Sequence, residues 1–177
     1  MNRRQFIKAS VVISGTVAVT GSGALLWLDG VDNTHLTIES ALNNLDVLAN
    51  QKIVSQGSWD LYQIFSHCAQ SVEYSMTAFP EHKSSLFKRT GGKGAFSLFS
   101  VIGQMSHGLS EPIPGAPAIH TNSDTVTALN RLKRSLIEFS SYQHKLAPHF
   151  AYGELTKREY EVAHVLHLYN HLEEITT

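Results

Sequence analysis

Four long stretches and one shorter one, in which apolar residues recur at three- and four-residue steps between proline- and glycine-rich breaks, constrain this chain most. Leu36, Ile38, Leu42, Leu45 and Leu48 predict an amphipathic helix from His35 to near Lys52. Gly57 interrupts the pattern, Ser58 offers an N-cap, and Leu61, Phe65, Val72 and Met76 predict a second helix that stops by Pro80. A shorter helical piece fits Ala95 to Met105. Glu111-Pro112-Ile113-Pro114-Gly115-Ala116-Pro117 cannot be helical, because its prolines remove donors and fix φ, and it predicts a long connection. Ser123-Asp124 caps a third long helix through Val126, Leu129, Leu132, Leu136 and Phe139, which ends before Pro148. Thr156 with Glu159 three residues on is a capping box, and it opens a last helix that runs to about Glu174. No segment shows convincing strand alternation, so the expected fold is all-α, an antiparallel four-helix bundle. Gly91-Gly92-Lys93-Gly94 lacks the spacing of a phosphate-binding loop and predicts a surface turn.

The first thirty residues do not belong to that pattern. Arg3-Arg4-Gln5-Phe6-Ile7-Lys8 precedes an uncharged stretch over 9–28 that is rich in Ser, Thr and Gly at its centre, which is the layout of a twin-arginine signal. The expected organisation is a signal over 1–30 and one bundle domain over 34–177, exported through the Tat translocase to the periplasm. Gly21-Ser22-Gly23-Ala24 supplies small residues for cleavage, but Leu25-Leu26-Trp27-Leu28 follows, so retention as a membrane anchor stays open.

Composition excludes other classes. The 14 basic and 15 acidic side chains give a formal net charge of −1 without long runs of either sign, so nucleic acid is not an expected partner. Cys68 is the only cysteine, which excludes an internal disulfide and reads as a small core side chain. The unusual number is 10 histidines in 177 residues.

Three of those histidines lie on the last helix. At 100° per residue His171 stands about 40° from His167 and one turn along, the spacing by which helices hold zinc. His164 lies about 10.5 Å in rise from His171, so all three cannot bind one ion without distortion, and His164 is expected to be a supporting or surface residue. Val162, Val165, Leu168, Tyr169 and Leu172 fall on the opposite side, which by itself predicts a wet histidine face. That face nevertheless carries Tyr160, Asn170 and Glu174 rather than lysines. The second helix repeats the arrangement around His67, with Gln63, Gln70, Ser71 and Tyr74 beside it. If the two faces meet, His67, His167 and His171 form a three-imidazole site with open positions, with Tyr74 and Glu174 as candidate supporting groups. If they do not, the histidines are solvated.

Phe65-Ser66-His67-Cys68-Ala69-Gln70-Ser71 and the late His167-Leu168-Tyr169-Asn170-His171 resemble the DinB/YfiT-like superfamily, and with the signal they resemble its twin-arginine-exported branch of unknown function. The resemblance covers about residues 34 to 175. It implies a four-helix bundle with a divalent metal, commonly zinc or nickel, held by three histidines, here His67, His167 and His171. Members include thiol-dependent S-transferases, maleylpyruvate isomerases and hydrolases, which implies a small-molecule substrate; a homodimer is left open. An exported location argues against cytoplasmic thiol cofactors. A noncatalytic binding or metal-handling protein is the competing expectation, with copper(I) disfavoured by the single cysteine and 3 methionines.

Overall fold

The computed structural model describes residues 35–177; the signal expected over 1–30 and its expected cleavage site lie outside them. The described chain is all-α, and four long helices form the expected antiparallel bundle: α1 (Ile38–Ala49), α2 (Leu61–Met76), α5 (Thr125–Ser141) and α6 (Lys157–Leu172). Between α2 and α5 lie α3 (Ser85–Phe87), a π-helical turn (Lys88–Gly92) and α4 (Lys93–Ile102), followed by a long connection. No helix of the described residues is long and apolar enough to cross a membrane.

Each long helix begins where a side chain meets the unpaired N–H groups of its first turn. Thr37 accepts from the Ser40 N–H at the start of α1, and Asp124 accepts from Val126 at the start of α5. Thr156 and Glu159 make the reciprocal capping box of α6. At α2 the cap is Asp60 rather than the expected Ser58. Asp60 accepts from the Gln63 N–H at 2.8 Å while Gln63 Oε1 accepts from the Asp60 N–H at 3.1 Å, so the helix starts where both donors are satisfied. The second Asp60 oxygen accepts from the Asn122 N–H at 2.6 Å, tying the long connection to this helix start.

The predicted surface turn at Gly91-Gly92-Lys93-Gly94 is helical instead. Gly92 is buried, and a methyl group in place of its hydrogen would stand 1.9 Å from the Ala151 carbonyl oxygen. The glycine here permits close approach of two backbones; it does not break the helix. The short piece expected at Ala95–Met105 accordingly starts earlier, at Lys93, and stops at Ile102, where Gly103 takes a φ of 70° as the C-terminal cap.

α2 packs most extensively on α5, and α6 contacts α1, α2 and α4. Ile64, Phe65, Leu132, Leu136, Phe139 and Leu166 are among the side chains shut away between them. Burial of each such side chain contributes about 1.5–3 kcal/mol, the main source of cohesion in a chain with one cysteine. A bidentate ion pair from Arg131 to Glu73, at 2.8 and 2.6 Å, also joins α5 to α2. Although no strand was expected, Val54–Ser55 pairs antiparallel with Ile175–Thr176 and anchors the C-terminus beside the segment that leads into α2.

Candidate metal centre

α6, like α2, is buried on more than one side. Its apolar residues Val162, Val165 and Leu168 are buried as the wheel predicts, but Tyr160, His164, Asn170 and His171 on the other side are buried too. The histidine face is therefore not wet, and of the two alternatives the meeting of the faces holds: α2, Phe139 of α5, the 147–152 segment and the 103–124 connection cover it. His164 is not a surface residue. It is 3% exposed, and its Nε2–H donates to Ser75 Oγ at 3.1 Å, because the Ser75 hydroxyl spends its own hydrogen on the Val72 carbonyl at 2.6 Å.

The structure brings His67, His167 and His171 together. One ring nitrogen from each lies within 4.8 Å of the other two, and His67 Nε2 stands 3.0 Å from His167 Nε2. Ring centres are separated by 4.9 Å for His67–His167, 5.1 Å for His67–His171 and 5.0 Å for His167–His171. Imidazoles that share one zinc ion at about 2.0–2.1 Å, arranged tetrahedrally, have centres about 5 Å apart. The mid-helix position of His67 and the one-turn spacing of the α6 pair generate this arrangement once α2 and α6 lie side by side.

Electrostatics favour lone pairs over protons here. Burial, then the neighbouring His107, lowers the His67 pKa to about 4; burial, then His67 and His107, lowers that of His171 to about 3. Burial, then the charges of His67, His171, His107 and His164, holds His167 well below the ordinary histidine value. Metal ligation requires the neutral form, so these rings present the right protonation state at neutral pH.

Hydrogen bonding points the same way. His171 is fully buried and neither of its ring nitrogens has a protein partner, and His67 Nδ1 is likewise unpartnered. Leaving such a group unpaired costs about 1–3 kcal/mol, and a cation would give one of the two His171 nitrogens a partner, so the donor set fits a cation. Trp59 stacks against His171, with ring centres 6.0 Å apart and planes within 4°, and lies edge-on to His67 at 4.9 Å, forming an apolar wall.

Of the two expected supporting groups, Tyr74 packs on Phe79 with ring centres 5.8 Å apart, two turns along α2 from His67. Glu174 keeps a buried, unpartnered carboxylate oxygen near Gly57 but is not in the three-histidine set. Cys68 is a core side chain as expected, 2% exposed, with burial pushing its thiol pKa up. Sequence reasoning missed His107, whose ring centre lies 4.9 Å from His167 and 5.1 Å from His171. It stands in an aperiodic connection, where spacing along the chain carries no information about position.

An all-α bundle with three neutral imidazoles converging from two of its helices defines the class of histidine-bearing, metal-site-like helical bundles. The chain belongs to the family described as "Protein of unknown function (DUF1569)", which matches residues 31–177 and is a DinB-like family. Comparison with curated proteins and with solved structures finds no match.

Proposed function

We propose that this protein binds one divalent metal ion, zinc or nickel, through His67, His167 and His171, and uses it in hydrolytic or group-transfer chemistry on a small molecule. The observation that carries this reading is the convergence of three imidazole nitrogens within 4.8 Å of one another in a buried setting. When bound, the ion supplies a Lewis acid that polarises an electrophile and lowers the pKa of a water or thiol. The protein's part is to hold it: α2 fixes one donor, a single turn of α6 fixes two, and Trp59 limits the approach of bulk water.

The reading extends to location. The twin-arginine layout of residues 1–30 supports export through the Tat translocase to the periplasm, with the domain over 34–177 as the working part and a membrane attachment only where the signal is retained. Tat export passes folded proteins, which suits a site filled before export.

A noncatalytic metal-handling role is the second reading, favoured by the burial of His171, at 0% exposure, and of His67, at 4%. The two diverge in exchange: a catalytic site keeps a position open to small ligands, whereas a storage site gives up and takes back the whole ion. Calorimetric titration with zinc tests the shared premise. One ion per chain in the wild type, bound at least about a hundredfold more weakly in His67→Ala, supports it; equal binding by both proteins contradicts the assignment.

A further inference from the structure

His107 lies on the 103–124 connection, away from the four long helices. Its Nδ1 is 3.0 Å from the Gly108 carbonyl oxygen. A carbonyl can only accept, so Nδ1 carries the hydrogen, and in the neutral ring Nε2 is left with a lone pair. That Nε2 is shut off from solvent and has no hydrogen-bond partner. The ring stands 4.9 and 5.1 Å, centre to centre, from His167 and His171, the same spacing found within the three-histidine set. Asn170, one residue before His171, accepts the His107 backbone N–H at 3.2 Å, so the turn of α6 that carries one histidine also anchors the loop that carries another.

We propose that His107 is a fourth nitrogen donor to the ion, giving a four-imidazole site with three donors on helices and one on a loop. The inference rests on the metal-binding reading above. His107 stands outside the set whose nitrogens are all within 4.8 Å, so ligation draws the loop inward. The buried lone pair then gains a partner, which offsets the cost of leaving a buried acceptor unpaired. The division of labour has a chemical consequence. Withdrawing a helix-borne donor disrupts the packing of α2 or α6, whereas withdrawing His107 moves only the connection. The fourth position is therefore the one that a small anionic or thiol ligand takes.

The test is the nitrogen NMR spectrum of the histidine rings in the full domain as zinc is added, with the His107 signals assigned through His107→Gln. The expected result is that one nitrogen from each of His67, His107, His167 and His171 moves to the metal-bound range. His107→Gln should still take up one zinc ion per chain, bound at least tenfold more weakly, with unchanged helicity. Movement of the other three rings while His107 Nε2 stays in place overturns the proposal and leaves the three-histidine site standing. An absence of movement in every ring overturns both.

Discussion

His67 Nε2 faces His167 Nε2 at 3.0 Å across the contact between α2 and α6. Two neutral imidazoles at this distance share one hydrogen, so one ring donates and the other accepts. A cation bound at both Nε2 lone pairs would leave that hydrogen on the Nδ1 of its own ring, so two neutral imidazoles would hold it with no net loss of a proton. Zinc uptake at neutral pH should therefore displace no protons from these rings, and His67→Ala should weaken zinc binding roughly a hundredfold or more. Calorimetry in buffers of different ionisation enthalpy measures both, and proton release from the three rings at neutral pH contradicts the account.

Acid should destabilise the metal-free protein through histidines outside the three-histidine set. Burial lowers the His164 pKa to about 3; burial, with the charges of His164 and His82, lowers that of His149 to about 3. His149 Nδ1 accepts the N–H groups of Ala151 and Tyr152, at 3.2 and 3.1 Å, which a protonated ring cannot do. The unfolded chain binds protons near pH 6.5, whereas the folded chain resists them down to about 3. Stability is thus complete above pH 6.5 and falls as pH moves from there toward 3, by up to about 1.4 kcal/mol per pH unit for each histidine. Urea unfolding at a series of pH values should show this slope, and His164→Gln should make it shallower.

Asp60 performs two tasks, capping α2 and holding the Asn122 N–H of the connection that also bears His107. Asp60→Ala should cost about 1–2 kcal/mol in chemical unfolding. Asp60→Asn, which keeps an acceptor for the cap, should recover most of it.

Gly92→Ala should destabilise by about 1–3 kcal/mol, because the added methyl meets a backbone carbonyl rather than a movable side chain. Gly94→Ala should be neutral or slightly stabilising, since a methyl there meets nothing within 4 Å and alanine favours the helix. Thermal melts of the pair separate a glycine required by packing from one that is not.

Export carries its own prediction. Replacing both Arg3 and Arg4 with lysine should keep the protein in the cytoplasm of a Tat-competent host, as fractionation would reveal; unchanged export contradicts the twin-arginine reading.

The helices were legible because they are written locally. The Thr156 and Glu159 pair marks the start of α6 within a few residues, and the prolines of 111–117 announce the break before α5. The one-turn spacing of His167 and His171, with His67 on a matching face, was enough to place three histidines together. What the chain does not write locally was missed. His107 reaches the cluster only through the path of an aperiodic loop, and Gly92 looks like a turn until Ala151 is known to pack on it. The wheel of α6 misled for a related reason: it counts histidine and asparagine as wet, yet neutral imidazoles with internal partners are interior groups, as His164 is beside Ser75.

Elemental mass spectrometry of protein purified without an affinity histidine tag or chelator, alongside the His167→Ala, His171→Ala double variant, tests the metal assignment most directly. The account predicts about one zinc or nickel ion per wild-type chain and none in the double variant. Equal metal content in the two proteins, or none in either, would contradict it.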